Sequence, residues 1–163
     1  MKNKEAEISL INCNEELEAI SAIRKIVGLD SPIMLYLTRY AIIKSCGTVE
    51  FCYKNLIADF CEDSQSQQTK NFITNKVRNS SNNPSIENIY RLLADFDSTW
   101  LAKFKSEINS LSEKDKILTS LKSLNDARND FAHGGNPSAS FEDIRKYFED
   151  ARQLIILLDE IIN

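Results

Sequence analysis

The sequence has few of the residues that interrupt long helices: four glycines and three prolines among 163 residues. This scarcity favours a few long elements over many short strands joined by turns. No apolar run approaches the roughly 20 residues that cross a bilayer, so no membrane contact is predicted. Residues 1–7 are charged and no apolar segment of a signal peptide follows them, which predicts a soluble, cytoplasmic protein.

An excess of positive charge is also missing. The formal net charge is −4, whereas a protein that binds nucleic acid over a broad surface usually carries a basic face. This balance excludes a broad electrostatic binder and still allows an enzyme that holds a few phosphates locally.

The four cysteines form no C-x-x-C pair; they are Cys13, Cys46, Cys52 and Cys61. The only histidine lies far from them in the sequence, so no zinc site is predicted. Without a secretory signal the thiols are expected to be reduced and packed on helices. Neither a metal nor another cofactor is predicted.

Two long amphipathic helices are predicted, over about residues 31–60 and 140–162. In the second, Ser140 followed by Asp143 is close to a capping box. In the first, Pro32 suits the first turn and Gly47 lets another helix approach closely. The first helix has a predicted buried stripe of Leu35, Ile42, Cys46, Val49, Tyr53, Leu56 and Phe60. The two helices are expected to pack antiparallel or nearly so.

Shorter helices are predicted over residues 15–27, 67–78 and 85–96, and in two further segments before residue 125. A loop is predicted over residues 79–84, where the sequence reads N-S-S-N-N-P. No segment has the pattern of a strand. The predicted fold class is all-α, an up-and-down helical bundle with additional short helices, in a single domain over residues 1–163.

The only histidine, His133, lies five residues after Arg128 and directly before Gly134 and Gly135. The spacing alone is weak evidence, because a lone histidine at a helix end often only suits the helix dipole. On a helix, Asn129 shares a face with His133, and Arg128 flanks that face. The two glycines are expected to end the helix beside an open loop. A guanidinium, an imidazole and an amide together suit a phosphodiester site.

Cleavage of RNA by its own 2′-hydroxyl needs a base, an acid and a cation, but no metal. One histidine per chain cannot easily serve as base and acid in the same turnover. The sequence therefore predicts a composite site in a two-fold homodimer, with Arg128 and His133 of both chains in one cleft.

The string R-N-D-F-A-H at residues 128–133 is an R-x4-H motif and resembles the signature of the HEPN superfamily. The glycines after it and the segment 39–51 resemble the RiboL-PSP branch, and the resemblance covers about residues 17–161. It implies a dimerising helical bundle. Many such domains are metal-independent endoribonucleases in toxin–antitoxin or anti-phage systems.

The resemblance implies that Arg128 and His133 are catalytic and that Asn129 is the polar residue beside the arginine. It also implies RNA, a second copy of the chain, and an antitoxin or other regulatory protein as partners. A subset of HEPN toxins, modified by a partner nucleotidyltransferase, has a tyrosine two residues after the histidine. Here that position is Gly135, so the resemblance does not extend to that neutralisation.

Glu50 and Asp130 are supporting candidates for the site. Glu50 lies on an otherwise apolar helix, where a carboxylate needs a partner. It either orients Arg128 across the bundle or faces solvent at the edge of the stripe. Two other interpretations of the chain stay open: a non-catalytic HEPN module that binds RNA or a protein, and a helical interaction domain with a chance motif.

Overall fold

The computed structural model describes residues 1–28, 31–62 and 65–163, which form helices and no strand. The helices are α1 (Lys4–Val27), α2 (Pro32–Glu62), α3 (Gln67–Ile73), α4 (Ile86–Phe96), α5 (Ser98–Ser110), α6 (Lys114–Ala132) and α7 (Phe141–Ile162). A single π-helical turn, Thr74–Arg78, continues α3. The predicted all-α class is confirmed, and none of these helices combines the length and hydropathy needed to cross a bilayer.

The ends of α2 and α7 agree with the prediction to within two residues. Ser140 accepts the backbone N–H of Asp143, and the Asp143 carboxylate accepts the backbone N–H of Ser140, so the capping box is present. The helix predicted over residues 15–27 is wrong at its start. The side chain of Asn3 caps α1 by accepting the N–H of Ala6, which places the first helical residue at Lys4.

α1 and α2 pack antiparallel. At the start of α1, the amide of Asn3 donates to Asp59 near the end of α2 at 2.6 Å. Further along, Glu16 of α1 pairs with Lys44 of α2 at 2.6 Å. The contact nearer the start of α1 therefore falls nearer the end of α2, as expected for two helices that run in opposite directions.

α6 is also antiparallel to α2. Near the end of α6, the Phe131 ring centroid lies 5.6 Å from the guanidinium carbon of Arg39 in the first half of α2. Earlier in α6, Asn125 accepts a hydrogen bond of 3.6 Å from the Cys46 thiol. The end of α6 therefore lies beside the first third of α2.

α7 runs antiparallel to α6 in turn. The Ser120 hydroxyl donates to Asp150 at 2.7 Å. Closer to the end of α6, Ala127 lines a surface cleft together with Asp143 from the first turn of α7. α1, α2, α6 and α7 thus form an up-and-down bundle.

The direction of α7 relative to α2 differs from the prediction. At one end of the bundle, Asn3 donates its N–H to Asp159 of α7 and its amide to Asp59 of α2. At the other end, Met34 of α2 and Phe141 of α7 line one cleft. The two helices are parallel, and the predicted antiparallel pair is wrong. The reason is that α6, which precedes α7 in the chain, is antiparallel to both helices. α7 therefore runs in the same direction as α2.

Buried apolar side chains from every long helix form one core. Three of the four cysteines, Cys13, Cys46 and Cys52, belong to it as free thiols, which confirms that they pack on helices. Burial raises the pKa of the Cys46 and Cys52 thiols to about 12. Leu35 and Phe60, predicted to be buried, are 51% and 50% exposed, and that part of the stripe is wrong.

The outer face of α2 exposes apolar side chains along its length, and we call this face the α2 stripe. It consists of Ile33, Tyr36, Tyr40, Ile43 and Phe51, each between 38% and 67% exposed. Gly47 lies at the step between Ile43 and Phe51, and a Cβ there would meet nothing within 4 Å. Such a row of exposed apolar side chains is typical of a surface that packs against another molecule.

Candidate functional site

The end of α6 determines where the only imidazole lies. α6 ends at Ala132, and His133 follows as its C-cap with φ −92° and ψ 13°. The N–H of His133 still donates to the carbonyl of Asn129 at 3.1 Å. Gly134 has φ +83°, in the left-handed region that favours glycine, so the chain leaves the helix there. The His133 side chain is exposed on the surface.

Arg128 is held by the amide of the next residue. Its Nη1 donates to Oδ1 of Asn129 at 3.2 Å. The same oxygen accepts a bond of 2.9 Å from the amide of Asn83. Asn129 therefore joins Arg128 to the loop before α4. Among the described residues, no hydrogen bond joins the side chains of Arg128 and His133.

The loop that carries Asn83 is attached to the bundle at several points. The Tyr53 hydroxyl donates to the carbonyl of Asn82 at 2.9 Å. The buried amide of Asn125 donates to the carbonyl of Pro84 at 2.9 Å. This loop was predicted from its turn-forming residues, but the role of Asn83 was not. The asparagine-rich string was the only indication of it.

Glu50 has a different partner from the one that the sequence suggested. Its carboxylate accepts from Nζ of Lys54 at 2.5 Å, and the Lys54 side chain is only 3% exposed. Among the described residues, no ion pair joins Glu50 with Arg128. Both nevertheless act on the thiol of Cys46, since Glu50 raises its pKa and Arg128 lowers it, although burial dominates.

Asp130 packs against the second glycine after the histidine. The N–H of Gly135 donates to the carbonyl of Asp130 at 2.9 Å. A Cβ added at Gly135 would lie 2.1 Å from Oδ1 of Asp130 and 3.0 Å from its carbonyl oxygen. The Asp130 side chain therefore occupies the space in which a side chain at position 135 would begin.

The family comparison agrees with the motif and with the fold. The model of the RiboL-PSP-HEPN family matches residues 8–163, which include all of α2, α6 and α7. The chain belongs to this family. The resemblance that the motif suggested is confirmed, and the protein is a HEPN domain. Comparisons with curated proteins and with solved structures gave no significant match.

In this HEPN domain the candidate residues fall into two groups. Arg128, Asn129 and Asn83 are linked by hydrogen bonds and lie partly buried near α2. His133 is exposed one turn further on, with its imidazole available to solvent or to a second molecule. One protomer therefore presents the guanidinium of Arg128, held by Asn129, and the exposed imidazole of His133.

We expect Gly135→Ala to destabilise the HEPN domain by about 0.5–1.5 kcal/mol, because the new methyl group overlaps Asp130 and the exposed carboxylate must leave its rotamer. Adding Asp130→Ala should remove most of this cost, since the nearest atom belongs to that carboxylate. Urea unfolding of the two single variants and the double variant measures the coupling.

Gly134→Ala is the matched control for the Gly135→Ala and Asp130→Ala variants. A Cβ there meets nothing within 4 Å, and its cost arises from the positive φ alone. That cost, about 1–2 kcal/mol, should be the same with and without Asp130→Ala. An equal cost of Gly135→Ala in both backgrounds would contradict the contact.

Proposed function

We propose that this HEPN domain is a metal-independent endoribonuclease that works as a homodimer in the cytoplasm, as a toxin or an anti-phage defence effector. The observation that carries the proposal is the exposed imidazole of His133 one turn after Asn129, whose side chain accepts a hydrogen bond of 3.2 Å from Arg128. HEPN domains are often ribonucleases, which supports the same assignment.

The proposed reaction uses both protomers. The imidazole of His133 in one chain takes the proton of a ribose 2′-hydroxyl, whose oxygen then attacks the adjacent phosphorus. The imidazole in the other chain gives a proton to the leaving 5′-oxygen. The guanidinium of Arg128 stabilises the charge that develops on the phosphoryl oxygens. The products are a 2′,3′-cyclic phosphate and a free 5′-hydroxyl.

The α2 stripe supports a second copy as the partner. Gly47, which lies between Ile43 and Phe51 of the α2 stripe, directly follows Cys46 in the sequence. The Cys46 thiol donates a hydrogen bond to Asn125 of α6. The stripe therefore borders the side of α2 that contacts α6, the helix that carries Arg128. A two-fold dimer through this face would bring the ends of both α6 helices toward each other. A stable interface should bury more than roughly 1,000 Å² in total.

The test of the proposed function is cleavage of an RNA oligonucleotide in the presence of excess EDTA. We expect products that end in a 2′,3′-cyclic phosphate, detected by mass spectrometry. The matched control is the same oligonucleotide with 2′-O-methyl groups, which lacks the nucleophile and should stay intact. A requirement for magnesium would contradict the mechanism, and binding of RNA without cleavage would favour a non-catalytic HEPN module.

A further inference from the structure

A cleft of about 540 Å³ opens between α4 and α6, directly beside the site. Its size lies within the roughly 300–1,000 Å³ typical of small-ligand sites. The residues that matter for its chemistry are Asn83, Ile86, Glu87, Leu118, Thr119 and Asn129. Asn129 belongs to this cleft and also bonds Arg128, so the cleft adjoins the proposed catalytic residues.

Two of the residues that line this cleft, Asn83 and Asn129, have amide side chains. Asn83 donates from Nδ2 to Oδ1 of Asn129 at 2.9 Å. This bond leaves Oδ1 of Asn83 as an acceptor and Nδ2 of Asn129 as a donor, neither of which bonds another described residue. The edge of a nucleobase carries a donor next to an acceptor, which is the complementary arrangement.

The charges around the cleft favour a neutral ligand over a phosphate. Lys122 is paired with Asp126 at 2.5 Å, and the carboxylate of Glu87 also lines the cleft. The charged residues that line the cleft are thus two carboxylates and one lysine, so its wall has no excess of positive charge to attract a phosphate. Ile86 and Leu118 provide apolar surface against which a planar ring can pack.

We propose that this cleft is a nucleobase subsite that holds a base of the RNA next to the cleaved phosphate. Its place beside the reaction rests on the proposed function, whereas its binding of a base does not. Because Arg128 donates a hydrogen bond to Asn129, a base bound at Asn129 would lie next to the guanidinium that stabilises the phosphoryl oxygens. The nuclease should therefore prefer certain bases at one position adjoining the cleaved bond.

The first experiment measures binding without cleavage. Adenosine, guanosine, cytidine and uridine, which carry no phosphate, are titrated into the 163-residue protein and followed by amide NMR shifts. We expect at least one nucleoside to shift resonances of α4 and α6. Thr119→Tyr should fill the cleft and weaken that binding by at least about tenfold. Ser106→Tyr, at an exposed position of α5 outside the cleft, is the matched control and should bind normally.

A second variant tests the cleft without adding a bulky side chain, so its result does not depend on whether the fold tolerates Thr119→Tyr. Asn83→Ala removes one acceptor and should weaken nucleoside binding by about two- to tenfold. Inorganic phosphate that produces the same shifts, or nucleoside binding unchanged in both variants, would overturn the subsite.

The second experiment separates this proposal from the proposed function. An RNA pool with random bases around the cleaved bond should show a base preference with the wild-type protein and a weaker preference with Thr119→Tyr. Nucleoside binding with no RNA cleavage would support the subsite and overturn the nuclease. Cleavage with no nucleoside binding and no base preference would support the nuclease and overturn the subsite.

Discussion

Replacing His133 with alanine should reduce RNA cleavage by about 10²–10⁴-fold, the usual contribution of a general acid or base. The side chain is exposed at the end of α6 and fills no part of the core, and alanine keeps the backbone bond to Asn129. The helical content and the oligomeric state should therefore stay unchanged. Single-turnover cleavage, circular dichroism and light scattering measure the three quantities on one preparation.

Arg128→Ala should lose a similar share of the activity, and Arg128→Lys should restore only part of it. A lysine supplies the charge, but it lacks the planar fork of the guanidinium that binds two phosphoryl oxygens. Arg152→Ala is the matched control, because Arg152 lies on α7 and its guanidinium pairs with Glu149 of the same helix. Full activity in the His133→Ala or Arg128→Ala protein would remove that residue from the chemistry.

Mixing the His133→Ala and Arg128→Ala chains tests whether the site is composite. Each homodimer lacks both copies of one group, whereas a heterodimer retains one guanidinium and one imidazole, which serves as base or as acid, so the mixture should recover a small part of the activity. A mixture no more active than the separate variants would contradict a shared cleft.

Ile43→Glu should separate the proposed dimer. The residue is 43% exposed in the centre of the α2 stripe, and a second copy would bury the new carboxylate without a partner. We expect the dimer dissociation constant to rise at least about 100-fold, which corresponds to nearly 3 kcal/mol. Because the proposed site needs both chains, cleavage should fall with it and return at higher protein concentration. Sedimentation velocity and cleavage at matched concentrations measure both effects.

Ile26→Glu is the control for this change. Ile26 is 84% exposed on α1, so the same charge is added at an apolar position outside the stripe. Ile26→Glu should leave the dimer dissociation constant and the rate of RNA cleavage unchanged. A wild-type protein that is monomeric at micromolar concentration would contradict the dimer, and an active Ile43→Glu monomer would contradict the composite site.

The helix boundaries that the sequence predicted well are those with a local cause. Ser140 and Asp143 satisfy each other's backbone groups, so the start of α7 depends on four neighbouring residues. Directions between helices have no such local cause. Periodicity indicates which side chains of α2 and α7 face inward, but it contains no information about whether the two run parallel. Contacts such as that of Asn3 with Asp159 depend on the whole chain path.

The α2 stripe shows a second limit of periodicity. α2 has apolar residues on nearly all sides, so its inner and outer rows cannot be separated by spacing alone. Leu35 was assigned to the core on this basis and is half exposed. The same holds for the site: Arg128, Asn129 and His133 are close in sequence, whereas Asn83 comes from 46 residues away and only folding brings it there.

The contacts of Asn3 with Asp59 and Asp159 bear on how the protein can be labelled. Asn3 and Asp159 meet at this end of the bundle, while Arg39 of α2 lies beside the end of α6 that carries the motif. Twenty helical residues between Arg39 and Asp59 span about 30 Å. A fluorophore attached next to Asn3 or Asp159 is therefore far from the imidazole. Energy transfer between one dye on each chain of the proposed dimer can report the dimer geometry while RNA is being cleaved.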